Sequence, residues 1–360
     1  MFKKFCEERN IKEETIKGYK SIIKKYTAYY GMPIEELLQE AIEEEDNNIK
    51  KRRRTIKQRL LQFRTHLVTE TDIAPSTIKS HMRKLVTLYS HFDIDVPNLP
   101  PLKSEDKVQT TFFDLPTKKH ISMACDIAGI RVASLILVMS SSGTGRKECA
   151  EMTIGDFIAG CEEYYTDNNQ TLYEILLELD ECEEPIVPTL YLKRIKTGKY
   201  YYTFISPEAS RAIINWLLLR WDMNEQKKIE NDDTYKELTL EDSLWDLSIR
   251  QITYHLSNIN DDLGFGFKGP YRFFRPHSLR KFHASNIGLS QEHIDLLQGR
   301  SRGAVHETYI KTNPKWLKKI YMNAMENVMV GKEKTREIIH EDFVININLN
   351  FYGSEYSVTL

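Results

Sequence analysis

The residues best suited to chemistry lie in the last third of the chain: His277, Arg280, Arg300 and Tyr309. His277 and Arg280 stand three positions apart in a run that opens with Arg275-Pro276 and closes with Lys281-Phe282-His283, so on a helix they share a face and can meet one anion. Arg300 follows Gly299, and Tyr309 comes nine residues later. Guanidinium groups offer planar forks of donors that match phosphate oxygens, imidazole can carry a proton, and a phenol is a nucleophile where cations favour its ionised form. A lone His-x-x-Arg pair is more simply a solvated basic helix face. The further arginine and the tyrosine downstream favour a phosphodiester.

Two upstream segments add to this set. Gly143-Thr-Gly-Arg146-Lys-Glu148, with Met152 and Asp156 after it, places two glycines just before a helix, where a tight turn sets the following side chains at the helix N-terminus. Residues 188–205 hold two β-rich runs around Lys196-Thr-Gly-Lys199, which predicts a hairpin with its turn at those four residues. Ser206-Pro207 then reads as an N-cap and first helical residue, opening a helix through Trp216 to Arg220.

The elements that must hold these residues are mostly helical. Helical spacing recurs over residues 118–129, 131–140, 247–258 and 314–330, with a turn expected at 264–270. The acidic stretch 161–184 reads as a peripheral excursion and 224–242 as a loop. Residues 343–351 alternate apolar side chains with asparagine, the period of a strand with one apolar face.

Residues 1–97 form a separate helical region carrying the densest positive charge: Lys50, Lys51, Arg52, Arg53, Arg54, Lys57 and Arg59, then Lys79, Arg83 and Lys84 on a helix opening at Pro75. For single lysines a solubilising face is the usual explanation; seven cations in ten residues, beside acidic residues 43–46, favour a phosphate-facing surface. The Pro-rich stretch at 98–113 reads as a linker, 114–333 as a second domain and 334–360 as a β tail.

Composition fits this plan. With 360 residues, 41% hydrophobic and 28% charged, the chain has room for two globular domains. Net charge is −2, so any DNA-binding surface must come from local clustering. Five cysteines with no Cys-x-x-Cys pair argue against a disulfide framework or a zinc site, and fit a cytoplasmic setting. No apolar run is long enough to span a bilayer, and no signal peptide is expected.

Four blocks, in order, resemble the tyrosine recombinases, the integrase family of phages, Xer-type proteins and archaeal mobile elements. The blocks are Gly143 to Glu148, the Lys196 hairpin leading to Ser206-Pro-Glu-Ala209, His277-x-x-Arg280, and Gly299-Arg300 with Tyr309. The resemblance covers roughly residues 115–330, and residues 1–97 resemble the family's core-binding domain more loosely. It implies a mainly α fold: a helical, SAM-like core-binding domain and a helical catalytic domain with a small antiparallel sheet, together clamping double-stranded DNA. It implies a site-specific recombinase acting as a homotetramer, without cofactor, metal or membrane. Tyr309 would be the nucleophile forming a 3′-phosphotyrosyl bond. Arg146 and Arg280 would bind the non-bridging oxygens, Lys196 would protonate the leaving 5′ oxygen, and His277 would assist proton transfer, with Arg300 donating to the phosphate.

The match departs from the family pattern in two places. When Glu148 is set on the Arg-x-x-Glu pattern, Gly145 falls where the arginine belongs and Arg146 lies one place late, so a local shift at the glycine turn must aim Arg146 inward. Arg300 replaces the usual His or Trp. Rival readings are a type IB topoisomerase-like enzyme and a DNA-binding relative impaired in catalysis; a metal-dependent nuclease lacks its carboxylate cluster. His283 and His306 read as packing or satisfied donors, Tyr200, Tyr201 and Tyr202 as sheet residues, Tyr321 as helix packing and Trp316 as core.

Overall fold

The structure, a computed structural model, describes residues 1–96, 98–102, 111–166, 169–300 and 313–331. It divides into two compact units, Met1–Gln109 and Thr110–Leu360. Tyr309, His306 and the predicted strand at 343–351 lie outside the described residues, as does half of the expected linker.

The first unit is helical: α1 (Phe2–Glu8), α2 (Glu13–Tyr30), α3 (Ile34–Asp46), α4 (Thr55–Thr69) and α5 (Pro75–His91). Each long helix buries a stripe at helical spacing: Tyr19, Ile22, Ile23 and Tyr26 on α2; Ile56, Leu60, Phe63 and Leu67 on α4; Ile78, Met82, Leu85 and Leu88 on α5. Where α2 and α5 meet, the hydroxyls of Tyr26 and Tyr89 are 3.1 Å apart inside the core, so neither is buried without a partner.

In the second unit, α6 (Lys118–Ile127), α7 (Ile130–Ser142), α8 (Arg146–Glu151), α9 (Ile154–Gly160) and α10 (Leu172–Glu181) precede a hairpin. The hairpin pairs β1 (Thr189–Arg194) antiparallel with β2 (Lys199–Phe204), in a register running from Thr189 opposite Phe204 to Arg194 opposite Lys199. Then come α11 (Pro207–Ile229), α12 (Ile249–Asp262), a two-residue hairpin of β3 (Phe267–Lys268) and β4 (Tyr271–Arg272), α13 (Pro276–Asn286) and α14 (Gln291–Leu297). A further helix spans Pro314–Ala324.

The centre of this unit is α7. Every residue from Val132 to Ser142 is buried, and α6, α11 and α13 pack around it. A helix apolar on all faces is stable only when enclosed, and α7 has that composition. Gly143 closes it in the left-handed conformation, φ 67°. As the sequence predicts, the Ser206 side chain caps α11 by accepting from the Ala209 N–H, with Pro207 in the first turn.

Three expectations are corrected and one, the turn, is made more specific. Residues 161–184 are not a peripheral excursion, because α10 buries Leu176 and Leu179 against α11. Helix α11 continues past Arg220 to Ile229, its polar end supported by pairs such as Glu225 with Lys228 at 3.7 Å. The turn at 264–270 is built as the β3–β4 hairpin, with Gly266 and Gly269 left-handed. Trp316 is 48% exposed, its ring edge-on to His293, and is not core. Tyr321 is core as expected; its hydroxyl donates to the Ser141 carbonyl at 3.1 Å.

Candidate active site and nucleic-acid interface

Arg280 sits on the inward face of α13, flanked by buried Leu279, Phe282 and His283. Only 8% exposed, it is held from two sides: Nη1 donates to the Gly143 carbonyl at 2.6 Å, and Nη2 to the Gln298 carbonyl at 2.7 Å. Gly143 ends α7 and Gln298 ends α14, so the acceptors are helix C-terminal carbonyls, which carry partial negative charge. Burial, and then the neighbouring Arg194 guanidinium, lower the Arg280 pKa to about 10, which still leaves it charged at neutral pH. Among the described residues two of its five N–H donors are used on the protein, which leaves three for a ligand.

The Gln298 side chain ties this floor together. Its Nε2 donates to the Arg280 carbonyl at 3.2 Å and lies 2.9 Å from Nδ1 of the fully buried His283. Burial, followed by the charges of Arg280 and Arg300, pushes the His283 pKa down to about 3. A neutral ring accepting at Nδ1 carries its proton on Nε2. His283 therefore packs the pocket floor, in keeping with the sequence reading. A Cβ on residue 143 would lie 2.7 Å from His283 Nδ1, which together with the positive φ explains a glycine there.

His277, one turn earlier on α13, is exposed, and its pKa is lowered by partial burial and by Lys281, Arg275, Arg280 and Arg300. Arg300 is exposed as well; its N–H donates to the Asp295 carbonyl at 2.8 Å, and its Nη1 lies 3.5 Å from the Asp295 carboxylate. Arg280, Arg300 and His277 thus share one electrostatic neighbourhood. Lys196 occupies the turn between β1 and β2 and is exposed, as is Lys199 at the start of β2.

Arg146 is placed differently from the expectation. It is exposed at the start of α8, and its Nη1 donates to the Thr253 hydroxyl of α12 at 2.9 Å. The guanidinium that lies against Gly145 is that of Arg194, at the end of β1, with Nη1 3.0 Å from where a Gly145 Cβ would stand. Nη1 of Arg194 donates to Glu148 at 2.5 Å, and the same carboxylate oxygen accepts the Ile195 N–H at 3.3 Å. The sequence did carry a signal for Arg194: strand alternation puts it in phase with buried Leu190 and Leu192.

Tyr201 faces the same pocket from β2. Its ring packs against Gly299, where a Cβ would approach Cδ1 to 2.6 Å. Its buried hydroxyl has no hydrogen-bond partner among the described residues. Burial and the Glu148 charge raise its pKa.

In the first unit the basic cluster divides in two. Arg54 pairs with Glu45, and Arg59 pairs with Glu40 at 2.6 Å while lying 4.9 Å from the Tyr30 ring centre. These two are committed to holding α4 against α3, whose acidic face is therefore not wholly solvated. Lys50, Arg52, Arg53, Lys57, Lys79 and Arg83 are exposed; Lys51, also exposed, pairs with Asp95, and Lys84 lies 6.0 Å from the Tyr19 ring centre.

Among the described residues no group of three His, Cys, Asp or Glu side chains converges, and no helix is long and apolar enough to cross a membrane. No family model and no curated protein matches the chain. Solved structures similar to it include XerH site-specific recombinase bound to a palindromic difH substrate, at 15% identity and TM-score 0.48 over 89% of this chain and 80% of that one. A lambda integrase tetramer bound to a Holliday junction is similar at 16% identity and TM-score 0.45, over 86% and 75% of the two chains. The integrase of mycobacterium phage Brujita is similar at 10% identity and TM-score 0.36, over 92% of each chain. All three are recombinases or integrases.

Proposed function

We propose that the protein is a tyrosine site-specific recombinase that cleaves and rejoins duplex DNA through a 3′-phosphotyrosyl link, integrating or excising a mobile element or resolving DNA multimers. The observation that carries this reading is the buried Arg280, fixed by two helix-end carbonyls, with donors to spare among the described residues and further cations around it. A permanently charged, preorganised fork in a partly dry pocket is what an oxyanion developing on phosphorus requires.

In this reading the Tyr309 oxygen attacks phosphorus, forming the Tyr–O–P bond as the bond from phosphorus to the 5′ oxygen breaks. His277 takes up the phenol proton, and Lys196 gives a proton to the departing 5′ oxygen. Arg280 and Arg300 donate to the non-bridging oxygens, whose charge rises in the pentacovalent transition state. Rejoining reverses the steps: a 5′ hydroxyl attacks the phosphotyrosine and the phenol leaves. The bond energy stays in the covalent link, so no nucleotide is consumed. The exposed cations of the first unit, Lys50, Arg52, Arg53, Lys57, Lys79 and Arg83, would contact the flanking phosphates. A homotetramer on two duplexes would exchange strands in pairs.

A second reading, a DNA-binding relative without catalysis, is favoured by Gly145 standing where the family pattern places an arginine. One experiment separates the two. Nicked suicide duplexes tiled across the DNA flanking the protein's own gene are incubated with wild type and with Tyr309→Phe. The recombinase reading requires an SDS-stable adduct with wild type and none with the variant. DNA binding without an adduct supports the second reading, and relaxation of a plasmid lacking any target site supports a type IB topoisomerase.

A further inference from the structure

We propose that Arg194 is the second phosphate-binding arginine of this site, supplied by strand β1 to the space that Gly145 leaves open. This rests on reading the pocket around Arg280 as the site of strand transfer. Alternation along β1 sends Leu190, Leu192 and Arg194 to the inner face, and the last of them reaches Gly145, two residues from the Gly143 carbonyl that holds Arg280. Arg146, the obvious candidate by sequence, is engaged with Thr253.

The simpler view makes Arg194 only the counter-ion of Glu148. Charge balance among the described residues argues against it. Glu148, whose side chain is 3% exposed, is one carboxylate facing the guanidiniums of both Arg194 and Arg280, and it can neutralise one of them. Two like charges in a sheltered pocket repel, and a bound anion relieves the repulsion. Glu148 fixes one edge of the Arg194 fork through Nη1; among the described residues Nε and Nη2 have no partner. The side chain is 19% exposed, so those donors can reach a ligand from solvent. Close by, the buried Tyr201 hydroxyl also lacks a partner among the described residues. Two forks and a hydroxyl around one space suit a tetrahedral, doubly charged oxyanion.

The tests use the full chain and two readouts. In the first, thermal unfolding is followed in sodium chloride and in sodium phosphate of equal ionic strength. Wild type and Lys193→Ala, its outward neighbour on β1, should gain stability from phosphate beyond the general salt effect. Arg194→Ala should lose that gain. In the second, the rate of adduct formation on the suicide duplex should fall about 10²–10³-fold in Arg194→Ala, the usual loss for one oxyanion donor. A methylphosphonate at the scissile position removes one oxygen charge and should shrink that loss. Gly145→Arg combined with Arg194→Ala should recover part of the rate.

Wild-type rates and an intact phosphate response in Arg194→Ala, or a loss that falls on Arg146→Ala instead, would overturn the proposal. If Arg194→Ala does not fold, Arg194→Lys, which keeps a cation for Glu148 but loses the fork, takes its place in both readouts. If wild type forms no adduct at all, strand transfer fails as the function, while the phosphate readout still decides whether Arg194 binds the anion.

Discussion

Replacing Glu148 by glutamine should expose the charge imbalance on which the pocket is built. The glutamine oxygen can still accept from Arg194 and from the Ile195 N–H, the two bonds now made to Oε1 at 2.5 and 3.3 Å. What disappears is the negative charge facing two guanidiniums. Breaking a buried ion pair costs about 3–5 kcal/mol when one charge is stranded. The retained acceptor and the 19% exposure of the Arg194 side chain reduce this, so a loss of about 2–3 kcal/mol is expected. All four tryptophans, Trp216, Trp221, Trp245 and Trp316, lie in the second unit, so their fluorescence follows that unit alone. In urea, with a slope of about 2–3 kcal/mol per molar, the midpoint in chloride buffer should fall by about 1 M. Phosphate should then narrow the gap to wild type, because the variant pocket carries more uncompensated positive charge and binds the anion more tightly. Wild type binds the anion too, so at saturating phosphate the gap narrows by the difference in affinity, about 1.4 kcal/mol for each tenfold tighter binding by the variant. General salting effects act on both proteins and cancel in the difference. A variant as stable as wild type in chloride, or equally destabilised with and without phosphate, would refute the reasoning.

Two further outcomes are expected. In the first unit, Arg52→Ala and Lys57→Ala should leave folding intact, weaken binding to any duplex and reduce the salt slope by about one each; Arg59→Ala, which loses its Glu40 and Tyr30 contacts, should lower stability by about 1 kcal/mol, with anisotropy titrations against salt and chemical denaturation as the measurements. In the second unit, the His283 pKa, pushed down from 6.5 to about 3, makes folding acid-sensitive: the neutral ring contributes fully above pH 6.5, and that contribution is lost as pH falls towards 3, about 2–3 kcal/mol by pH 4.5, so His283→Asn should flatten the dependence of unfolding free energy between pH 7 and 4.5.

Local rules carried much of the fold into the sequence. The hairpin around Lys196, the Ser206-Pro207 helix start and the α13 helix bearing His277 and Arg280 all follow from turn chemistry, capping and helical spacing. The misses are tertiary. Nothing local says that α4 will bring Arg59 and Arg54 to Glu40 and Glu45. Leu176 and Leu179 lie in an acidic stretch whose two inward positions matter only once α11 is beside them. Trp316 is large and apolar, yet it lies on the outer side of its helix. Arg194 belongs to no motif of its own, and strand parity alone puts it on the inner face.

The same distinction explains why the site resists a motif-only reading. A helical motif fixes which residues share a face, and that suffices for His277 and Arg280. It does not fix what stands opposite, and here the opposing groups come from the end of α7, the end of α14 and the edge of β1, far apart in sequence. Glycine at 143, 145 and 299 is the common device: the His283 imidazole at 143, the Glu148 carboxylate at 145 and the Tyr201 ring at 299 approach the backbone to a distance that a Cβ would forbid. An arginine at 145 would have to displace the ends of Arg194 and Glu148 together.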